Sequence, residues 1–107
     1  MASRRQIQIS EIIARLAGDF FAREASKQSL ITVTRAEVAE DLKNVMIYIS
    51  VLPETQEKQA LEFAKRSRSE FRTYVRDHSS LHPAPTIDFE IDYGEKNRQR
   101  IDELTRK

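Results

Sequence analysis

The chain has neither cysteine nor tryptophan, and it holds only two glycines and three prolines. Without cysteine there is no disulfide, no thiolate metal site and no cysteine nucleophile. The staple of many small secreted domains is therefore missing. Gly18 and Gly94 stand far apart, so no glycine loop can cradle a phosphate, and no serine sits in a nucleophile elbow. No apolar run approaches the roughly 20 residues of a membrane helix, and no apolar leader opens the chain. The expected setting is cytoplasmic, with no membrane partner. Five phenylalanines and three tyrosines are too sparse for base stacking to be the main mode of nucleic-acid contact. Charge of one sign is also not in excess. The net value is +1, which by itself selects no partner.

The remaining composition is 39% apolar and 33% charged, a balance that folds and stays soluble. A length of 107 residues fits one domain, which we place over 1–107, with no linker, repeat or low-complexity segment. The charges are unevenly spread. Lys65, Arg66, Arg68, Arg72 and Arg76 are opposed locally only by Glu70 and Asp77, whereas Asp88, Glu90 and Asp92 make 88–92 acidic. A near-neutral total can thus hide one basic face.

Periodicity predicts the elements. Ser3 with Gln6 has capping-box spacing, and Ile9, Ile13, Leu16 and Phe20 recur on one helical stripe that ends near Glu24. Gly18 weakens that helix by about 1 kcal/mol and suggests a close neighbour. Segments 31–34 and 45–51 are β-branched strands joined by the polar connection 39–43, hence an antiparallel hairpin. In the second strand Val45, Ile47, Ile49 and Val51 share one face. Pro53 stops it, and Thr55 is placed to cap the next helix. One helix over 56–78 would be about 34 Å long, too long for so small a core. The serines at 67 and 69 therefore predict a break within 67–70. Pro83 and Pro85 stiffen the connector 79–85. A third strand puts Ile87, Phe89, Ile91 and Tyr93 on one face, with Asp88, Glu90 and Asp92 on the other. Residues 97–106 read as a short terminal helix. The fold class is α+β in two layers, with order α-β-β-α-α-β-α and helices on one face of a three-stranded sheet.

With these elements in place, the chain resembles the ribosome-binding factor A family. The likeness is densest at Ile31-Thr32-Val33-Thr34-Arg35, at Val38-Ala39-Glu40-Asp41-Leu42 running into Val45-Met46-Ile47-Tyr48-Ile49-Ser50, and at Phe71-Arg72. It resumes over 85–92 and closes with Arg100-Ile101-Asp102-Glu103-Leu104. The resemblance implies a KH-like domain of type II and a factor that binds the immature small (30S) ribosomal subunit through its rRNA. Such a factor assists late maturation and 5′-end processing, matters most in the cold, and has no catalysis, cofactor or small-molecule substrate of its own. A monomer is expected. Two departures stand out. The Gly-x-x-Gly loop of RNA-gripping KH domains is absent. The alanine-x-glycine kink that replaces it in the family corresponds to Arg68-Ser69-Glu70, with Glu70 in place of the glycine.

Arg66, Arg68, Arg72 and Arg76 are the leading candidates for phosphate contact, because guanidinium groups offer charge and a bidentate fork. Arg68, Arg72 and Arg76 are four apart and share a helical face. The plainer reading is a solvated face, which the resemblance outweighs for the cluster. Arg4 and Arg5 either extend the patch from the first helix or form a loose, soluble N-terminus, and His82 is placed near RNA or solvent. His78 is expected to pack by its ring edge. His78 and His82 are four apart but lack further ligands, so no metal site is assigned. Tyr74 belongs to the apolar stripe, while Tyr48, beside Met46, is placed to stack or to dock. An exposed sheet face around Met46 and Tyr48 is the alternative reading, a protein-protein module. A third is an enzyme binding Mg²⁺ on the acidic strand.

Overall fold

The computed structural model describes residues 2–24 and 29–94. The element order is α1 (Arg4–Glu24), β1 (Leu30–Val38), β2 (Asn44–Leu52), a 3₁₀ turn (Glu54–Gln56), α2 (Glu57–Arg66), α3 (Arg68–His78) and β3 (Thr86–Ile91). The expected terminal helix over 97–106 lies outside the described residues.

The capping box opens α1: the Gln6 amide donates to Ser3 Oγ at 3.1 Å, and the Ser3 amide to Gln6 Oε1 at 2.7 Å. Two orphan amides of the first turn are thereby satisfied. Gly18 meets no neighbour, since a Cβ there would have nothing within 4 Å. Its expected close contact is corrected to an exposed helix position.

The sheet order is β1-β2-β3. β1 and β2 pair antiparallel, while β2 and β3 run parallel, with the helix pair as the crossover. β1 continues to Val38, well past the expected 31–34. Its register slips between Val33 and Arg35, leaving Thr34 as the extra residue of a β-bulge. The bulge shifts the alternation by one. Ile31 and Val33 face the helices before it, and Ala36 and Val38 after it, so Arg35 and Glu37 turn outward opposite Tyr48 and Met46. Leu42 closes the 39–43 connection at φ 63°, a left-handed conformation unusual for a branched side chain.

Ile13, Phe21, Ile47, Ile49, Phe71, Val75 and Phe89 are fully buried between the sheet and the helices. Edge-to-face rings tie three elements together: Phe20 lies 5.3 Å from Phe71, and Phe21 lies 5.3 Å from Phe89. Tyr93 is corrected: the strand stops at Ile91 and Tyr93 is 58% exposed. Asp92 is instead the buried residue, its amide donating to the Ile49 carbonyl at 2.8 Å. Thr55 caps nothing. It sits within the 3₁₀ turn, and Gln56 precedes α2 without a side-chain cap.

Candidate nucleic-acid interface

The helix pair breaks at Ser67, inside the expected window. Its backbone sits at φ −89°, ψ 3°, the bridge region in which a helical turn tightens. The Ser67 amide donates to both Phe63 and Ala64 carbonyls, and its Oγ donates to the Phe63 carbonyl at 2.9 Å. A serine that satisfies the end of α2 in this way makes glycine unnecessary. Glu70 lies in the first turn of α3 and is exposed, while Leu42 is the non-glycine residue with positive φ among the described residues. The family's kink position thus holds ordinary helix here, and the carboxylate suits a helix N-terminus.

The four arginines occupy this corner, but they do not form one open strip. Arg68 Nε donates to the Lys65 carbonyl at 2.9 Å, and its Nη1 reaches Asp88 Oδ1 at 3.2 Å. Lys65 Nζ reaches the same oxygen at 3.1 Å, and the Phe89 amide donates to it at 2.8 Å. Burial pushes the Asp88 carboxyl up, but the Phe89 amide, the Lys65 ammonium and the Arg68 guanidinium outweigh it and hold the group below its ordinary value. This knot pins the α2–α3 corner to β3. Arg72 Nε and Nη2 both donate to the Ala84 carbonyl, at 3.1 and 2.8 Å, which pins α3 to the connector 79–85. Arg76 is exposed, 3.8 Å from Asp77. With Ser69, Arg72, Thr73, Pro83 and Ala84 it lines a shallow groove of about 310 Å³. Arg66 is exposed on α2.

All four arginines are exposed, and two of them, Arg68 and Arg72, are also fasteners, bonded to β3 and to the connector. Sequence spacing finds the cluster but cannot reveal that Asp88 and the Ala84 carbonyl already hold part of it. Arg5 lies apart, in a groove with Gln8, Glu11, Arg15, Ser80 and Leu81. Arg15, absent from the candidates, lines the same groove. Arg4 is exposed, and His82 is exposed beside Pro83. His78 stacks flat on Tyr74 at 3.9 Å, corrected from the expected ring-edge packing. Its Nδ1 lies 2.9 Å from the Tyr74 carbonyl.

The outer sheet face is less open than expected. The Arg35 guanidinium lies 3.9 Å from the centre of the Tyr48 ring, covering a face that a base would need. Arg35 also pairs with Glu37 and, at 3.4 Å, with Asp92. Thr34 Oγ1 lies 2.6 Å from Asp92 Oδ2. The acidic strand thus has protein partners at Asp88 and Asp92, and among the described residues no His, Cys, Asp and Glu group is placed to hold a metal. No helix among them is long and apolar enough to cross a membrane.

Helices on one face of a mixed three-stranded sheet, with a sharply broken helix pair as the crossover, define a KH-like α+β domain. The ribosome-binding factor A family profile matches residues 4–105. The chain belongs to that family, a family of non-catalytic proteins. It is 30% identical over 109 aligned positions to ribosome-binding factor A of Desulfitobacterium hafniense, covering 99% of this chain and 87% of that one. Ribosome-binding factor A of Fervidobacterium nodosum is 35% identical over 78 positions, covering 72% of this chain and 62% of that protein's length. The crystal structure of ribosome-binding factor A from Thermus thermophilus shares the fold at a TM-score of 0.72, 15% identical, covering 80% of this chain and 94% of that one.

Proposed function

We propose that this chain, as a single domain over 1–107 and as a monomer, binds the immature small (30S) ribosomal subunit in the cytoplasm through its rRNA. There it assists late maturation and 5′-end processing by other enzymes, with no catalysis or cofactor of its own. Its absence slows growth most in the cold. The observation that carries this reading is the family match across 4–105. Its proposed contact surface is the arginine-bearing corner of the helix pair. Without a Gly-x-x-Gly loop, contact is made mainly to phosphates, which position a protein without reading bases.

Arg66 and Arg76 are the principal contacts in this proposal: all four arginines are exposed, but Arg68 and Arg72 already commit donors to Asp88 and to the Ala84 carbonyl. Arg68 and Arg72 add charge while holding the corner in shape, and His82, Arg4 and Arg5 lie on the flanks. The test is a titration of purified small subunits with wild type and an Arg66→Gln, Arg76→Gln double variant at several salt concentrations. Each neutralised phosphate releases condensed counterion, so affinity falls and the salt slope flattens by roughly 1 to 2 units. A folded double variant with unchanged affinity and slope would move the contact to the groove of Arg5 and Arg15.

A further inference from the structure

We propose that the groove between α1 and the outer edge of β1 is a docking site for a short, extended, basic peptide segment of a partner protein. The groove is about 670 Å³ and runs beside 34–38, with Gln6, Ile7, Ser10 and Ala14 as its other wall. That size falls within the roughly 300–1000 Å³ of ligand sites.

Three features shape the occupant. The first is backbone. β1 is an edge strand, and edges present backbone groups to a new strand. At Val38 that edge is already closed by α1: its amide donates to Ser10 Oγ, and its carbonyl accepts from Gln6 Nε2, each at 3.2 Å. Two residues earlier, Ala36 has its amide and carbonyl on the same side as those of Val38, facing the groove. The bulge at Thr34 limits the pairing stretch, so the occupant is short.

The second feature is apolar. Ile7 is 48% exposed and lines the groove together with Ala14 and Ala36. Two alanines leave room for one aliphatic side chain of an extended segment against Ile7. The third is charge. Glu11 and Glu40 line the groove beyond the Arg35–Glu37 ion pair, and Arg35 is held further by Asp92 and the Tyr48 ring. The rim therefore selects lysine or arginine and repels a phosphate backbone. This surface is separate from the arginine corner and stands whether or not that corner binds rRNA.

The experiment is an NMR titration of the isotope-labelled full chain with a short peptide alternating lysine and valine, and with its glutamate–valine counterpart. The lysine peptide should shift the amides of 34–38 and 7–14 and slow exchange at Ala36. Ala36→Pro removes the edge amide where an edge strand tolerates proline, and should abolish binding. Glu11→Lys with Glu40→Lys changes only exposed positions and should weaken binding about tenfold at low salt. Equal binding of the glutamate peptide, an unchanged affinity of the double lysine variant, or shifts confined elsewhere would overturn the proposal. So would self-association of the peptide-free chain that Ala36→Pro removes, which gives the edge to a second copy. Displacement of the peptide by an RNA oligonucleotide with shifts on the same amides would give the groove to nucleic acid, against the proposal.

Discussion

Arg72 donates from two nitrogens to one carbonyl of the connector, so its side chain carries two separable properties, a charge and a fork. Arg72→Lys keeps the first and loses the second. We expect this variant to lose about 1.5 kcal/mol in urea denaturation, the low end for a hydrogen bond to a charged group, while small-subunit affinity falls only modestly. Arg76→Gln should show the opposite pattern, with stability changed by less than about 0.5 kcal/mol, as for other open surface sites, and affinity reduced. If Arg72→Lys unfolds no more easily than wild type, the Ala84 contact contributes nothing to the fold. Residue chemistry and spacing bring all four arginines to notice. Their division into two fasteners and two others depends on Asp88 and Ala84, residues that approach only after β3 docks.

At the level of elements, the helix pair shows what a local signal can and cannot convey. Serine-rich sequence and an overlong apolar stripe place the break correctly, because both are properties of neighbouring residues. The exact residue, Ser67, follows from which hydroxyl meets the Phe63 carbonyl. Glu70 tests this assignment. Glu70→Gly restores the family's kink glycine, yet it puts glycine inside a helix and removes an acid from its first turn. Stability should fall by about 1 kcal/mol by thermal unfolding, while small-subunit affinity at low salt rises through loss of a negative charge. A gain in stability would mean that the corner prefers a glycine conformation after all. β1 illustrates the opposite case. Its second half escapes a period-2 reading because the bulge at Thr34 moves the apolar positions from odd to even numbers.

For the whole molecule, Asp88 couples the helix corner to the sheet. Its carboxyl is held below the ordinary value in the folded chain, so the unfolded chain binds the proton more readily. Stability from this group is present above the ordinary carboxylate range and is lost as pH falls through the depressed folded value. Denaturation midpoints measured over a descending pH series should drop across that window. Asp88→Asn should lower stability at neutral pH and flatten the acid fall. An equally steep fall in the variant would assign the acid sensitivity to other carboxylates.

Order, class and most core positions were written in the chain, because they rest on local preferences: the capping box of Ser3 and Gln6, the stripe from Ile9 to Phe20, and the alternation of Val45 to Val51. These are set by neighbours within a few residues and survive in any fold that buries the same faces. Tertiary structure alone decided which strand edges stay open, that Arg35 covers Tyr48, that Asp92 is buried while Tyr93 is not, and that Arg68 and Arg72 are held by partners twelve to twenty residues away. Such contacts depend on the distance between separately formed elements, and one bulged residue is enough to change which side chains meet.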